Sequence, residues 1–220
     1  MNTAILIPAR LASTRFPNKM LAKLNGVPLI QLVFNKCVES GLPTYVVTPD
    51  QEIVDLIGSE HSLLVGEAEN GTERCRLAGE YLNYAEFINV QGDMPDITTD
   101  IIFEVQEILK DYDVATVYSK MSEQQRLDPN SVKIVHNGNT AKWFGRGITG
   151  YGDHHLGVYG YRNYTLNRYN ELKIYPEEEI EKLEQLRWIQ NDCTIGVAEV
   201  EFNGLEINTE EDLNKWQKQV

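Results

Sequence analysis

The sequence predicts an α/β protein whose sheet is largely parallel and flanked by helices. Apolar runs alternate with amphipathic stretches over most of the chain, which is the pattern of β-α units. Hydrophobic residues make up 42% and charged residues 24% of the 220 positions, enough apolar material for one complete core. Between about residues 130 and 165, short apolar segments separated by Asn-Gly and glycine-rich turns replace this alternation. We therefore expect one domain over residues 1–220 that carries a small β-rich insertion at about 130–165.

The N-terminal half contains the clearest β-α units. Residues 4–7 form an apolar run that ends at Pro8, which predicts a buried strand. Apolar residues recur at helical spacing over residues 28–40, and Gly41 is a typical C-terminal stop for that helix. The same criteria predict strands over residues 44–48, 61–65, 86–91 and 114–118, and helices over residues 51–58, 72–83 and 100–110.

The C-terminal half begins with predicted hairpins. Short strands are expected over residues 132–136, 141–144 and 156–161, and they form the predicted insertion. Residues 177–190 predict a long helix, residues 194–200 a strand and residues 210–219 a final helix.

Charge and composition exclude several classes of partner. With 20 Lys and Arg against 33 Asp and Glu, the net charge of −13 argues against binding to nucleic acid or to anionic membranes. No apolar stretch is long enough for a signal peptide or a bilayer span. Cys37, Cys75 and Cys193 are odd in number and lack metal-ligand spacing, which is typical of reduced cysteines. We expect a cytoplasmic protein.

A basic loop directly follows the first predicted strand. It carries Arg10, Arg15 and Lys19, with Ser13 and Thr14 between them. Ligands of α/β folds bind at the carboxyl ends of strands, and guanidinium, ammonium and hydroxyl donors suit a triphosphate. A solvated surface loop is the alternative. The position after a strand and the order R-x-x-S-T-R-x-P-x-K favour an anion site.

A second cluster precedes the helix predicted over residues 72–83. Gly71 allows close backbone approach, and Thr72 can cap the helix, whose N-terminus attracts negative charge. Arg74 lies in the first turn, within reach of a phosphate or a base. Ordinary helix capping explains the same residues equally well.

A third cluster, Gln91-Gly92-Asp93, ends the strand predicted over residues 86–91. A carboxylate at this position is well placed for Mg²⁺, which binds proteins through one or two carboxylates while bridging substrate phosphates. Asp and Pro after a strand also make plain turns. The basic loop earlier in the chain favours the metal.

His154 and His155 invite a zinc interpretation, which we set aside. Adjacent strand residues point to opposite faces, and no Cys or third His accompanies the pair. Polar groups on this predicted hairpin suit a hydroxylated acceptor instead. The chain also lacks a Gly-x-Ser-x-Gly motif, a Walker lysine and a Cys/His pair, so hydrolase and P-loop chemistry find no support.

In combination, these motifs resemble those of the CMP-Kdo synthetase family, the 3-deoxy-manno-octulosonate (Kdo) cytidylyltransferases. The order is IPAR-x-x-S-T-R-x-P-x-K, GTER, NVQGD-x-P, N-x-V-K at 130–133, HLG-x-YGYR at 155–162, LEQLR at 183–187 and T-x-EDL at 209–213. The resemblance covers nearly the whole chain. It implies the Rossmann-like fold of nucleotide-diphospho-sugar transferases, and a reaction in which CTP and a 2-keto-3-deoxy sugar acid give a CMP-sugar and pyrophosphate. It also implies a role in lipopolysaccharide biosynthesis and a possible homodimer.

The resemblance implies three groups of site residues. The nucleotide would contact Ala9, Arg10, Ser13, Thr14, Arg15, Lys19, Gly71, Thr72, Arg74, Gln91 and Gly92. The sugar acid would contact Gln91, Arg146, His155, Tyr159, Glu184 and Gln185. Mg²⁺ would bind Asp93 and the residue at position 208, with Arg10, Arg15, Lys19 and Asp93 as the catalytic set.

Three departures from the family pattern bear on the acceptor and the metal. Asn208 stands where the family has an Asp, Gly145 stands in place of the Ser of a Phe-Ser-Arg motif, and residues 146–155 form a shortened segment. They leave two alternatives to a Kdo-type acceptor. One is a nucleotidyltransferase for a sialic-type acid or a sugar phosphate, and the other is a catalytically weak nucleotide-binding homologue.

Overall fold

The computed structural model describes residues 2–13 and 15–219. The strands are β1 (Thr3–Pro8), β2 (Lys23–Leu24), β3 (Val27–Pro28), β4 (Thr44–Thr48), β5 (Ser62–Leu64), β6 (Glu86–Val90), β7 (Val114–Ser119), β8 (Lys133–His136), β9 (Ala141–Gly145), β10 (Asp153–Arg162) and β11 (Ile195–Glu199). The helices are α1 (Leu29–Val38), α2 (Gln51–Ile57), α3 (Gly71–Gly79), α4 (Thr99–Ile108), α5 (Glu123–Leu127), α6 (Asn163–Asn167), α7 (Pro176–Glu181), α8 (Leu186–Gln190) and α9 (Glu210–Gln219).

The main sheet is mixed and mostly parallel, in the order β11-β7-β10-β6-β1-β4-β5. β1 pairs in parallel with β4 and β6, and β7 with β11, whereas β10 runs antiparallel between β6 and β7. β8 pairs with β10 and forms a hairpin with β9 beside the main sheet. The third strand predicted for the insertion is therefore the long central strand β10.

Both faces of the sheet are covered, which explains why β1 is buried along its whole length. Ile5 and Ile7 face one core together with the apolar sides of α1 and α4. Ala4 and Leu6 alternate to the opposite core, which α3, α6 and α8 cover. No helix among the described residues is long and apolar enough to cross a membrane.

Most predicted elements occur within a residue or two of their expected ends, and β4 and α9 match residue for residue. The helix predicted over 177–190 is wrong as one element. It divides into α7 and α8 because Lys182 adopts a left-handed conformation, with φ at 54°. The helix predicted over 72–83 ends earlier, at Gly79.

Four small elements, β2, β3, α5 and α6, were not predicted from the sequence. β2 and β3 form a short hairpin around Asn25 and Gly26, whose φ angles of 50° and 86° are those of a two-residue type I′ turn. The short helices α5 and α6 were missed because five residues are too few to show helical periodicity.

Candidate active site

The register of the sheet brings the predicted clusters together. β1 pairs with β6 such that Leu6 lies opposite Asn89, so the loop after β1 and the residues after β6 leave the same edge. On the other side of β6, the Gln91 amide donates to the carbonyl of Gly157 in β10 at 3.1 Å. Residues distant in sequence therefore surround one groove at the carboxyl ends of β1 and β6.

The groove consists of two adjoining cavities. The basic half, of about 620 Å³, is lined by the loop after β1, and the β10 half, of about 550 Å³, by β10 and the 183–185 and 206–208 segments. Both volumes are in the range of small-molecule sites. The two halves share Arg10, Arg15, Asn70, Gly71, Gln91 and Asp93.

Backbone contacts hold the basic loop in place. The Ala9 amide donates to the carbonyl of Val47 at 2.9 Å, and the Leu11 amide to Oδ2 of Asp50 at 2.7 Å. Phe16 and Met20 insert into the core. Because these contacts use the backbone and the apolar side chains, Arg10 and Arg15 remain exposed at the groove.

Four guanidinium groups line the groove, and within residues 2–13 and 15–219 none forms an ion pair with a carboxylate: Arg10, Arg15, Arg74 and Arg146. Burial and then the charge of Arg10 lower the pKa of Arg74, and burial and then Arg15 lower that of Arg146. Nη1 of Arg74 is buried without a hydrogen-bond partner among the described residues. This crowding of cations favours an anionic ligand.

Asp93 lies at the centre of the groove. Its Oδ2 accepts from Nζ of Lys19 at 2.7 Å, and its backbone carbonyl accepts from the Ile207 amide at 2.9 Å. The second bond brings Asn208 to the same place, where its Oδ1 lies 3.4 Å from Nη2 of Arg15. The structure therefore brings together both residues of the predicted metal site.

Glu206 is a groove residue that the sequence analysis missed. Burial and the neighbouring charge of Asp93 raise its pKa to about 7, against smaller opposing effects of the Gly157 amide, Lys19 and Arg146. The signal was its position two residues before Asn208, because alternate residues of an extended segment face the same way.

His155 is a neutral acceptor in the β10 half. Thr116 donates through Oγ1 to the carbonyl of Val158 at 2.7 Å, so it accepts from Nε2–H of His155 at 3.1 Å. This arrangement leaves Nδ1 of His155 as the acceptor atom. Burial, and then the charges of His154 and Arg146, lower the pKa of His155 to about 3.

Glu184 ties the β10 half to the start of α3. Its carboxylate accepts from the Thr72 amide at 3.3 Å and from the Thr72 hydroxyl at 3.0 Å, while burial raises its pKa. A side chain at Gly71 would place its Cβ 3.0 Å from Nε2 of Gln91 and 3.4 Å from Oε1 of Glu184. Gly71 therefore permits the close packing of these groove residues.

Main-chain carbonyls orient Arg146. Its Nη1 donates to the carbonyl of Asn130 at 2.7 Å and its Nε to that of Glu181 at 3.2 Å. Lys133 is fully buried, and its Nζ donates to the carbonyls of Asp128, Ser131 and Arg146. Lys133, the lysine of the N-x-V-K motif, is thus a positioning residue that was not among the predicted site residues.

Nearly all predicted site residues line this groove. Ala9, Ser13, Lys19 and Gly92 lie in the basic half, and Tyr159, Glu184 and Gln185 lie in the β10 half. Thr72 does not line it. Thr72 is 1% exposed and turns inward, where its hydroxyl contacts Glu184 and Tyr161. Thr14 lies outside the described residues.

The fold and the groove define a nucleotidyltransferase. The structure superimposes on a CMP:2-keto-3-deoxy-manno-octonic acid synthetase solved in complex with CTP, with a TM-score of 0.92, 28% identity and coverage of 100% of this chain and 98% of the other. The fold alone is shared with the inositol-1-phosphate CTP transferase from T. maritima, with a TM-score of 0.69, 15% identity and coverage of 100% and 97%.

Sequence comparison gives the family. A cytidylyltransferase family model matches residues 4–195. The 3-deoxy-manno-octulosonate cytidylyltransferase of Bartonella henselae is 35% identical over 97% of this chain and 96% of its own length. The 8-amino-3,8-dideoxy-manno-octulosonate cytidylyltransferase of Shewanella amazonensis is 34% identical over 100% and 99%. The chain belongs to this family of cytidylyltransferases, and the predicted resemblance, fold class and enzyme class are confirmed.

Proposed function

We propose that this protein transfers the CMP group of CTP to the anomeric hydroxyl of a 3-deoxy-ulosonic acid, Kdo or its 8-amino analogue. The observation that carries the proposal is the convergence of four guanidinium groups and Lys19 on one groove of a protein with net charge −13. Both substrates are anions, and their acidic groups supply partners for the guanidinium groups that have no carboxylate partner among the described residues.

The triphosphate binds the basic half. Arg10, Arg15 and Lys19 contact phosphate oxygens and stabilise the charge that grows on pyrophosphate as it leaves. Arg74, with its unpartnered Nη1, binds a polar group of the nucleotide beside Gly71. The exposed guanidinium groups of Arg10 and Arg15 can adjust to the phosphates. The anchored backbone fixes the positions of the main chain that carries these side chains.

The sugar acid binds the β10 half. Arg146 pairs with its carboxylate, because this guanidinium is held by carbonyls and has no carboxylate partner among the described residues. His155 accepts a hydrogen bond from a sugar hydroxyl at Nδ1. Glu184, Tyr159 and Gln185 line the same cavity as further hydrogen-bond partners for the sugar hydroxyls. Gln91 borders both halves and lies between nucleotide and sugar.

The residues around Asp93 fit a divalent cation. Asp93 supplies an anionic oxygen, Asn208 a neutral one, and Glu206 is a second carboxyl group beside Asp93. A divalent cation held by Asp93 and Asn208 would offset part of the phosphate charge during the transfer. Lys19 holds Asp93 in position at 2.7 Å.

An acceptor screen tests the proposed function. The protein is incubated with CTP and Mg²⁺ and with Kdo, its 8-amino analogue, a sialic acid or glucose 1-phosphate, and pyrophosphate release is followed. Rapid release with one of the two octulosonic acids, and little with the others, is the expected result. Turnover of only a sialic acid or a sugar phosphate supports the first alternative, and CTP binding without turnover of any acceptor supports the second.

We also propose that the protein forms a homodimer and that it is cytoplasmic, as the sequence predicts. Light scattering coupled to size-exclusion chromatography measures the first directly. A mass near 25.1 kDa would contradict a dimer.

A further inference from the structure

Two hydrogen bonds from backbone amides hold the segment from Leu205 to Asn208 in place. The Leu205 amide donates to Oδ2 of Asp96 at 3.0 Å, and the Ile207 amide to the carbonyl of Asp93 at 2.9 Å. Ile207 is fully buried in the core, whereas Glu206 and Asn208 both line the groove. Side chains alternate along an extended chain, so positions 206 and 208 present their oxygens to the same space beside Asp93.

The carboxylate of Glu206 is incompletely partnered. Its Oε1 is inaccessible to solvent and has no hydrogen-bond partner among the described residues. Glu206 forms no ion pair there either, since the ammonium of Lys19 contacts Asp93 and Arg146 contacts carbonyls. A solvent-inaccessible carboxylate oxygen next to a second carboxylate is costly unless a proton or a metal cation binds it.

We propose that Glu206 is the second carboxylate ligand of the divalent metal and replaces the charge that Asn208 lacks. The inference rests on the proposed function, because the metal arrives with the triphosphate. Mg²⁺ sites that receive phosphate oxygens use one or two protein carboxylates. Asp93 and Glu206 supply two such carboxylates, placed on segments that a backbone hydrogen bond joins.

Metal binding is measured without turnover. Mn²⁺ is titrated into the CTP-saturated protein in the absence of any sugar acid, and free Mn²⁺ is quantified by electron paramagnetic resonance. The unaltered protein is compared with Glu206→Gln and with Glu201→Gln, an exposed residue upstream of this segment that does not line the groove. CTP binding in EDTA is measured for every variant as the control for the nucleotide site.

Glu206→Gln is expected to weaken Mn²⁺ binding about tenfold or more, since even outer-shell partners of metals are worth ~10–100-fold in affinity. Adding Asn208→Asp to Glu206→Gln should restore most of the loss, because it returns a carboxylate to the same space. Glu201→Gln and CTP binding in EDTA should remain unchanged.

Equal Mn²⁺ affinity in the unaltered protein and Glu206→Gln, with CTP bound to both, would overturn the inference and leave the proposed function intact. If Glu206→Gln keeps its Mn²⁺ affinity and changes only the preference for Kdo over its 8-amino analogue in a turnover assay, the inference is also overturned. Glu206 would then contact the acceptor. If Glu206→Gln does not fold, Glu206→Asp retains the charge with a shorter reach and should weaken Mn²⁺ binding by a smaller factor. No CTP binding by the unaltered protein would overturn the proposed function and the inference together.

Discussion

Four arginines without carboxylate partners are the clearest residue-level sign of a binding site among the described residues. A protein with 33 acidic residues could pair them, yet other arginines form the ion pairs, such as Arg187 with Glu178 and Arg76 with Glu73. Arg74 has its Nη1 buried and unpartnered, which a folded protein tolerates when a ligand supplies the missing acceptor.

Arg15→Ala and Lys19→Ala are each expected to reduce kcat/KM for CTP by about 10²–10³-fold, because each removes a charged hydrogen bond to the leaving phosphates. Steady-state kinetics of pyrophosphate release measure the effect. Lys23→Ala, an exposed lysine outside the groove, is the matched control and should behave as the unaltered protein. Normal turnover of both groove variants would show that the loop is an ordinary solvated surface loop and not a phosphate site.

The metal site gives a second prediction. Asp93→Asn should abolish turnover, because it neutralises a central carboxylate and leaves Lys19 without its 2.7 Å partner. Asn208→Asp should lower the Mg²⁺ concentration for half-maximal rate by adding a carboxylate. Rate measurements over a Mg²⁺ series test both. An unchanged Mg²⁺ dependence in Asn208→Asp would remove position 208 from the metal shell.

His155 provides a prediction about pH. Its pKa is lowered to about 3, so the imidazole should remain neutral, with the proton on Nε2, from pH 8 down to pH 5. In the unfolded chain the ordinary value is 6.5, so the unfolded state binds more protons and the free energy of unfolding should fall as pH decreases below about 6.5. Nitrogen-15 NMR of the labelled imidazole over this pH range tests whether the folded protein keeps His155 neutral. A midpoint near 6.5 in the folded protein would contradict the neutral acceptor.

Among the elements, the strands that position the site are the most predictable from sequence. β1, β4 and β6 are rich in apolar residues because the sheet is buried on both faces, and the motif residues follow the carboxyl ends of β1 and β6. The division of the 177–190 segment was not predictable, because its helical composition outweighs the single left-handed Lys182. Because of that division, the segment between α7 and α8 places Glu184 and Gln185 at the groove.

Other site features depend on contacts that no local pattern encodes. Glu206 enters the groove only because the Ile207 amide reaches the carbonyl of Asp93 across more than half of the chain. Thr72 was predicted as a nucleotide contact from its motif, yet Glu184 and Tyr161 draw its hydroxyl inward. Long-range pairing therefore decides which motif residues face the ligand.

The hairpin of β8 and β9 carries a prediction at this scale. Lys133→Met should leave buried carbonyls unpaired, including that of Arg146 at 2.9 Å, and lower the free energy of unfolding by about 1–3 kcal/mol. The displaced Arg146 should raise KM for the sugar acid more than KM for CTP. Chemical denaturation and steady-state kinetics measure the two effects. Lys142→Met, exposed on β9, is the control, and equal changes in both KM values would contradict a role confined to the acceptor.

At the scale of the whole molecule, cationic side chains are concentrated at one groove. The net charge is −13, yet six cationic side chains line that groove: Arg10, Arg15, Lys19, Arg74, Arg146 and Lys182. This arrangement repels anions from most of the surface and binds them at one place.

Ligand binding should therefore raise the thermal stability of the protein. CTP in EDTA is expected to raise Tm, because a ligand that binds only the folded state stabilises it by mass action. The rise should shrink with increasing salt, since Arg10 and Arg15 are exposed and their charges are screened. Differential scanning fluorimetry over a salt series measures this, and a salt-independent rise would contradict phosphate binding by these residues.

The most direct measurement is phosphorus-31 NMR of one reaction mixture: the protein with CTP, Mg²⁺ and Kdo or its 8-amino analogue, beside a control without acceptor. The account predicts that the CTP signals are replaced by a phosphodiester signal of the CMP-sugar and an equal amount of pyrophosphate, and only when the acceptor is present. Persistence of CTP with both acids, or its conversion to CDP and phosphate or to CMP without acceptor, would contradict it.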